Sequence, residues 1–224
     1  MYIITKRIID LLISFTALII FLPLFLIVII ILFFTGEGEI FYLQERLGLK
    51  NKHFKIIKFA TMLKNSPDVG SGSITVRNDP RVLPFGKFLR KSKINELPQI
   101  INVIIGNMSI VGPRPQMQAD FLKFPKSSRD KIFLSKPGIT GIGSIVFRDE
   151  EKWISDFQGD KHVFYEKYIA PHKTELELWY LSNKSILIDL KIIFITAWVI
   201  LFPKSKILNL FLRNIPKKPD HLNY

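Results

Sequence analysis

The sequence predicts a mixed α/β domain that is attached to a membrane by an apolar N-terminal helix. Residues 11–35 contain no charged side chain, and the segments after them alternate between short strand patterns and helical ones. The 224-residue chain is also basic, with 32 Lys and Arg against 19 Asp and Glu and a formal net charge of +13. Such a charge suits a nucleic acid or an anionic membrane surface, and the apolar segment favours the membrane.

The apolar segment allows two topologies. A helix over residues 11–35 is long enough to cross a hydrocarbon core of ~30 Å, but Pro23 near its centre removes a backbone hydrogen bond and bends it. Basic residues, which prefer the cytoplasmic side, occur on both flanks: Lys6 and Arg7 before it, and Arg46, Lys50, Lys52, Lys55 and Lys58 after it. Residues 1–36 therefore form either a re-entrant helix broken at Pro23 or a kinked single-pass anchor. A signal peptide is disfavoured, because the apolar run is too long and no cleavage site follows it.

The C-terminal part adds a second apolar surface. Residues 186–202 are apolar apart from Asp189 and Lys191, which is typical of a helix lying in the membrane interface. Residues 204–224 form a basic amphipathic tail, which we expect to rest on anionic lipid. The alternative is an ordinary core helix followed by a solvated tail.

Residues 37–203 are predicted to form the globular domain. Ile94, Leu97, Ile101 and Ile104 recur at helical spacing, so residues 95–105 should form a helix that Gly106 ends. The other predicted elements are strands at 39–44 and 53–59 around a turn at 48–51, a loop at 65–79, and a helix at 160–185 with one charged face.

Composition restricts the chemistry that the chain can perform. It contains no cysteine, which excludes disulfides, thiolate metal sites and cysteine nucleophiles. Its four histidines are scattered, so any metal must be held by oxygen, and this favours Mg²⁺, with Mn²⁺ as the alternative. No aromatic–basic stacking pattern or recognition helix is visible, so nucleic acid is not an expected partner.

Several short segments allow both a chemical and a plain structural interpretation. Asn95 and Glu96 could belong to a site, but Asn also suits a helix N-cap and an acid suits the first turn. Arg114, held between Pro113 and Pro115, could bind a phosphate bidentately. The three glycines of residues 136–144 could present N–H groups to an anion or simply form a turn. Residues 148–151 could hold a metal or form a solvated face.

Taken in order, these segments resemble the bacterial sugar transferase family, the monotopic phosphoglycosyl transferases. The resemblance runs from Lys6 to about Thr196. The matching segments lie at residues 6–10, 44–48, 58–62, 78–81, 85–90, 95–99, 102–109, 111–115, 136–141, and 185 with 189–192.

The resemblance implies a role for each matching position. Asn95 occupies the place of the family's nucleophilic Asp, and Glu96 beside it works with Mg²⁺. Asp189 falls near the metal end of the site, and Pro23 falls at the break of the membrane helix. The substrate-binding positions are Lys58, Arg90, Pro113, Arg114 and Arg148. The chain departs from the family pattern at Leu22, Ala60, Asn95 and Gly143-Ser144.

The resemblance also implies a reaction and its partners. A UDP-sugar and polyprenyl phosphate would give a polyprenyl-diphosphate sugar and UMP, on the cytoplasmic face of the bacterial inner membrane, as the first step of a surface glycan. Anionic lipid, later glycosyltransferases and a second copy of the chain are the further partners considered. Because an amide is a poor nucleophile, the alternative is an inactive relative that acts as a membrane-bound scaffold.

Overall fold

The computed structural model describes residues 1–35, 37–66, 79–203, 205, 207–212, 214–217 and 219. Most of the predicted loop at 65–79 and much of the tail at 204–224 lie outside these ranges. The described strands are β1 (Phe41–Leu47), β2 (His53–Phe59), β3 (Ser109–Val111) and β4 (Gly138–Thr140). The described helices of the N-terminal half are α1 (Tyr2–Phe34), α2 (Pro84–Lys91), α3 (Gln99–Ile105) and α4 (Gln118–Phe121). Those of the C-terminal half are α5 (Lys126–Ile132), α6 (Ile142–Val146), α7 (Glu150–Asp156), α8 (Lys161–Phe164), α9 (Ala170–Asn183), α10 (Ile186–Leu201) and α11 (Ile207–Phe211).

Helix α1 continues through Pro23, so the structure shows no interruption of the helix at that residue. A proline removes one hydrogen bond, and the neighbouring turns can still hold the helix together. By length and composition α1 is able to cross a membrane. Most of its large apolar side chains are exposed. The buried residues of α1 fall into two groups. The polar residues Asp10 and Ser14 lie in the first half of the helix, and the apolar residues Phe25, Val28 and Leu32 lie in the second half.

Strands β1 and β2 form an antiparallel hairpin whose register runs from Phe41 opposite Phe59 to Leu47 opposite His53. The predicted second strand is confirmed, while the first begins two residues later and ends three residues later than expected. Lys50 and Asn51 adopt positive φ angles of 55° and 57° in the connecting turn. Because side chains alternate between the faces of a strand, Gln44, Arg46, Ile56 and Lys58 share one face of this hairpin.

Strands β3 and β4 pair in parallel, and glycines allow their backbones to approach. A Cβ atom on Gly112 would lie 2.3 Å from the Lys136 carbonyl oxygen, and one on Gly138 would lie 2.1 Å from the Gly112 nitrogen. The Gly138 N–H donates to the Pro113 carbonyl oxygen at 2.9 Å. Gly112 and Gly138 therefore serve close backbone packing, and the Gly138 N–H is not available to an anion.

The region predicted as a helix at 95–105 is confirmed with a division. A 3₁₀ turn covers Ile94–Glu96, and α3 follows from Gln99 to Ile105. Gly106 ends α3 with φ 94°, and its N–H returns to the Asn102 and Val103 carbonyl oxygens. The periodic apolar residues thus predicted the helical path, and the proline at position 98 divides it because it has no N–H to donate.

Residues 160–185 are helical as predicted, but several of their polar side chains lie in the protein interior. Helix α8 is followed by a π-helical segment, Tyr165–Ile169, and then by α9. The buried polar and charged residues of α9 are His172, Lys173, Thr174 and Glu177. Part of the charged face of this helix is therefore buried in the protein interior.

Helix α10 combines the two interpretations of residues 186–202. Ile192, Ile195 and Val199 are buried in the main core, so this side is an ordinary core helix. The opposite side is apolar and exposed, with Leu187, Leu190, Phe194, Trp198, Ile200 and Leu201. This exposed apolar side of α10 lies next to the apolar helix α1.

Candidate active site

A small pocket lies between the β1–β2 hairpin, the 95–105 region and the start of the Gly112–Pro115 turn. Its lining residues are Arg46, Ile56, Lys58, Glu96, Gln99, Arg114, Pro115 and Gly138. The pocket therefore unites Lys58, Glu96 and Arg114, three of the residues predicted from the sequence. These three come from β2, the 3₁₀ turn and the segment after β3.

Glu96 is the carboxylate among these lining residues. Its Oε1 atom lies 3.5 Å from Arg114 Nη2, and its side chain is 18% exposed. Burial acts to raise the pKa of Glu96, but the positive charges of Arg114, Lys58 and Lys93 outweigh it and lower the pKa to about 2. Glu96 is therefore ionised at neutral pH. The same attraction to Glu96 raises the pKa of Arg114 above its usual value.

Lys58 brings a titratable ammonium group to the pocket. Burial lowers the pKa of Lys58 to about 7, and the positive charges of Arg46, Arg114 and Arg90 act in the same direction, against the attraction of Glu96. At neutral pH the Lys58 Nζ atom is therefore close to the balance between its charged and neutral forms.

Arg46 lines the pocket although the sequence did not mark it as a site residue. Its Nη2 donates to Gln44 Oε1 at 2.5 Å. Its Nε atom is buried and has no hydrogen-bond partner within the part of the chain that the structure describes. Burial, followed by repulsion from Arg114, lowers the pKa of Arg46 to about 10. The available signal was its position in the strand, because Arg46 shares the face of the hairpin that carries Lys58.

Asn95 precedes Glu96 in the 3₁₀ turn and is only 7% exposed. The interpretation of Asn95 as a helix N-cap is wrong, because Lys93 and Pro98 occupy the N-cap positions of the 3₁₀ turn and of α3, and neither helix start has a side-chain cap. Asn95 Oδ1 is buried and lacks a hydrogen-bond partner among the described residues. A local cap therefore does not explain the amide at this position.

The backbone of Arg114 is held from behind by Glu177 of α9. The Arg114 N–H donates to Glu177 Oε1 at 3.3 Å, and Glu177 is 2% exposed. Burial raises the pKa of Glu177 to about 7. Pro113 supports the same segment through its bond to Gly138. The sequence analysis missed Glu177, and an acid between Leu176 and Leu178 of a helix was the signal that could have found it.

Arg90 lies close enough for its charge to act on Lys58, but its own guanidinium is paired outside the lining set. Its Nη2 atom forms an ion pair with Glu151 Oε1 at 2.7 Å. The Glu151 carboxylate is 56% exposed, so this pair is open to solvent and easily exchanged. Arg90 thus lies beside the pocket, and its role in substrate binding stays a prediction.

Two predicted site residues, Asp189 and Arg148, lie in other clusters. Asp189 accepts hydrogen bonds from Lys6 at 2.7 Å, Tyr2 at 2.9 Å and Tyr180 at 2.7 Å. Arg148 donates to the carbonyl oxygens of Val199 and Pro203, at 2.5 and 3.2 Å, at the end of α10. Asp189 therefore contacts the start of α1, and Arg148 contacts the end of α10, while the metal and phosphate roles expected of them stay predictions.

The residues of the pocket fit a magnesium ion that is held by one carboxylate together with water and substrate phosphates. Within the described residues no group of three or more His, Cys, Asp or Glu side chains could hold a metal. Mg²⁺ is often bound by one or two carboxylates, with water and substrate phosphates completing its octahedron. Glu96 fits that arrangement, whereas the Asp189 carboxylate is already occupied by its three donors.

The structure combines a long apolar helix with a domain whose pocket carries three basic side chains and one carboxylate. The profile of the family described as bacterial sugar transferase matches residues 1–203, and the chain belongs to this family. The predicted phosphoglycosyl transferase class is thereby confirmed.

Similar proteins carry names from the same area of chemistry. An exopolysaccharide production protein, ExoY, of Sinorhizobium fredii is 35% identical over 207 residues, which cover 86% of this chain and 84% of that protein. A UDP-glucose:undecaprenyl-phosphate glucose-1-phosphate transferase of Klebsiella pneumoniae is 33% identical, over 86% of this chain and 39% of that protein. A UDP-N-acetylgalactosamine-undecaprenyl-phosphate N-acetylgalactosaminephosphotransferase of Aeromonas hydrophila is 32% identical, over 89% of this chain and 44% of that protein.

Proposed function

We propose that the protein transfers a sugar 1-phosphate from a UDP-sugar to polyprenyl phosphate and releases UMP, as the initiating step of a surface glycan. The observation that carries the proposal is the pocket, where Arg46, Lys58 and Arg114 surround Glu96. Three cationic side chains around one carboxylate leave an excess of positive charge, which suits a diphosphate. The names of the relatives supply the two substrates.

The side chains of the pocket have separate tasks in this reaction. Arg114 presents a guanidinium that can bind two phosphate oxygens at once. Lys58, with its pKa near 7, can donate a hydrogen bond from Nζ to a phosphate oxygen as negative charge develops there. Glu96 would hold Mg²⁺, or Mn²⁺, together with the substrate phosphates. The ion would stabilise charge on the phosphate oxygens as a Lewis acid.

Asn95 favours direct transfer over a covalent enzyme intermediate, because an amide cannot form an acyl phosphate. In this mechanism an oxygen of the lipid phosphate forms a bond to the sugar-linked phosphorus, and the bond from that phosphorus to the bridging oxygen breaks. UMP leaves with the bridging oxygen. The second candidate mechanism uses Glu96 as the nucleophile, and its exposed fraction of 18% leaves one face accessible.

We propose that residues 1–36 enter and leave the membrane on the cytoplasmic face of the inner membrane, although α1 shows no interruption at Pro23. The contacts that both halves of α1 make with the domain support this topology. Near its start, Arg7 donates to the Val103 and Ile104 carbonyl oxygens at 2.6 and 2.8 Å. Near its end, Leu32 belongs to the same cluster as Phe59 of β2. A helix that crosses a ~30 Å core could not hold both ends against one domain on one side of the membrane. Anionic lipid would then meet the basic tail and the exposed side of α10.

Topology is tested by cysteine labelling, which is simple because the chain has no cysteine of its own. Single cysteines at positions 2 and 50 should both react with a membrane-impermeant reagent applied from the cytoplasmic side. A cysteine at position 2 that reacts only from the outside would establish a spanning anchor.

Activity is tested with the full chain in lipid nanodiscs, polyprenyl phosphate and a panel of UDP-sugars, with UMP release as the readout. Glu96→Gln should abolish turnover, while Glu45→Gln, at an exposed position of β1, should not change it. The proposal fails if the wild-type protein releases no UMP with any sugar. Retained binding without turnover would instead support a scaffold, the interpretation that Asn95 also allows.

The mechanism is tested by incubating the protein with the UDP-sugar alone and measuring its mass. Direct transfer predicts no adduct and no exchange of labelled UMP into the UDP-sugar without lipid. A sugar-phosphate adduct would contradict direct transfer, and peptide mapping of the adduct to Glu96 would establish the second mechanism.

A further inference from the structure

We propose that Arg46 is a phosphate-binding residue of this pocket, which binds one phosphate of a substrate together with Arg114. The inference deepens the proposed function and rests on it. Arg46 stands in none of the roles that the family resemblance supplies. The inference follows from the position of Arg46 in β1 and from the missing hydrogen-bond partner of its Nε atom.

The hairpin register brings Arg46 to the pocket. Gln44 pairs with Ile56 and Tyr42 pairs with Lys58, so Arg46 extends a row of side chains on the same face as Ile56 and Lys58. Both Ile56 and Lys58 line the pocket beside Arg46. A one-residue shift in register would have placed Arg46 on the other face of the hairpin, so its position depends on the pairing.

The guanidinium of Arg46 has donors to spare. A guanidinium carries five N–H donors, and the described bond to Gln44 uses one of them at Nη2. The buried Nε atom has no partner among the described residues. A buried donor without a partner is costly, especially on a charged group, unless a ligand completes it. The bond to Gln44 holds the guanidinium through Nη2 and leaves the Nε donor for an acceptor.

The charge around Arg46 indicates that this acceptor is an anion. Arg46 and Arg114 repel each other, and Glu96 is the negatively charged side chain among the described lining residues. Glu96 balances the charge of one of the two arginines, and Lys58 adds further positive charge when it is protonated. Because like charges held in a partly buried site are unfavourable, a ligand carrying about two negative charges would relieve them. A diphosphate or a terminal phosphate has that charge.

Two phosphates of the reaction share this chemistry, the diphosphate of the UDP-sugar and the terminal phosphate of the lipid. The experiment separates them with Arg46→Lys and Arg46→Gln in nanodiscs, by measuring KM for each substrate with the other saturating. Calorimetric titration with UDP, in the absence of lipid phosphate, reports the nucleotide side independently of turnover. The matched control is Lys55→Gln, on the same strand pair but exposed.

We expect Arg46→Gln to raise KM for one substrate by ~10- to 100-fold, because the variant loses a hydrogen bond between two charged groups. Arg46→Lys should restore only part of the lost substrate affinity, because Lys lacks the planar guanidinium that binds two oxygens at once. A higher KM for the UDP-sugar together with weaker UDP binding assigns the donor phosphate. A higher KM for the lipid with unchanged UDP binding assigns the acceptor phosphate.

Unchanged KM values and unchanged UDP binding in both variants would overturn the proposal, as would a lower melting temperature with unaltered KM, since that is the result of a purely structural role. If Arg46→Gln fails to fold, Arg46→Lys, which keeps the charge, decides the question by the same measurements. If the wild-type protein releases no UMP at all, the proposed function fails, and UDP titration of the wild type and Arg46→Lys still tests the phosphate site.

Discussion

Gly143 packs so closely against the Glu177 carboxylate that a side chain at position 143 would clash with it, and this contact makes a double-mutant test possible. A methyl group at position 143 would lie 2.5 Å from Glu177 Oε1 and 3.3 Å from its Cδ atom. The same Oε1 accepts the Arg114 N–H. A methyl group must therefore displace the carboxylate that holds the Arg114 segment.

The magnitudes follow from the two contacts. Gly143→Ala overfills a closed site, which costs about 1–3 kcal/mol. In a chain of this size each kcal/mol lowers the melting temperature by about 2–4 °C. Glu177→Asp withdraws the carboxylate and loses a hydrogen bond, which costs about 0.5–1.5 kcal/mol. In the double variant the new methyl group occupies the space that the shorter Asp leaves, so the two losses should be less than additive by roughly 0.5–3 kcal/mol.

The assay compares the wild type, both single variants and the double variant by thermal unfolding in identical nanodiscs. UMP release measured on the same samples should follow the same order, because Arg114 moves with Glu177. Glu175→Asp is the matched control, since its carboxylate is 61% exposed on the same helix. Strictly additive losses would refute the reasoning, because they would mean that the side chains at 143 and 177 do not compete for the same space.

Three further predictions follow from the same geometry. Burial raises the pKa of Glu177 from an ordinary 4.5 to about 7 in the folded chain, although nearby Arg114 and Lys173 act to lower it. The protonated carboxyl group therefore favours the folded state at pH 4.5 and below, and this contribution to stability is lost as the pH rises from 4.5 to about 7. Glu177→Gln should therefore show a smaller fall in melting temperature between pH 5 and 8, and an unchanged fall would contradict the assignment. Asp189→Ala leaves Lys6 buried without its partner and should cost about 3–5 kcal/mol by thermal unfolding, whereas stability equal to wild type would remove the docking role. Arg114→Lys should lower kcat/KM for UMP release by at least ~10-fold at equal stability, since Lys cannot bind two oxygens at once, and wild-type kinetics would exclude Arg114 from the site.

Local sequence patterns predicted the framework of the site well. The strand-like segments at 39–44 and 53–59 and the turn at 48–51 predicted the hairpin, and the apolar spacing from position 94 predicted the helical segment that ends at Gly106. The prolines around Arg114 indicated a fixed turn, which the structure places at the pocket. Each of these features depends on residues that are neighbours in the chain, so the pattern itself carries the information.

Asp189 shows why other assignments needed the fold. Its position in a matching motif suggested a metal ligand, yet its carboxylate pairs with Lys6, which lies 183 residues away in the chain. Glu177 was overlooked for the same reason, because its partner is the backbone N–H of Arg114, 63 residues earlier. Contacts over such separations leave no periodic signal in the sequence.

The sequence by itself determined the family, the apolar helix, the basic character and the first hairpin, because these depend on composition and on short ordered motifs. The tertiary structure alone decided which charges meet. It placed Arg46 and Lys58 on one face of a hairpin, brought Glu96 and Arg114 against them, and gave Asp189 and Arg148 to other contacts. The physical reason is that the charge, burial and pKa of a side chain depend on the surroundings that folding brings together.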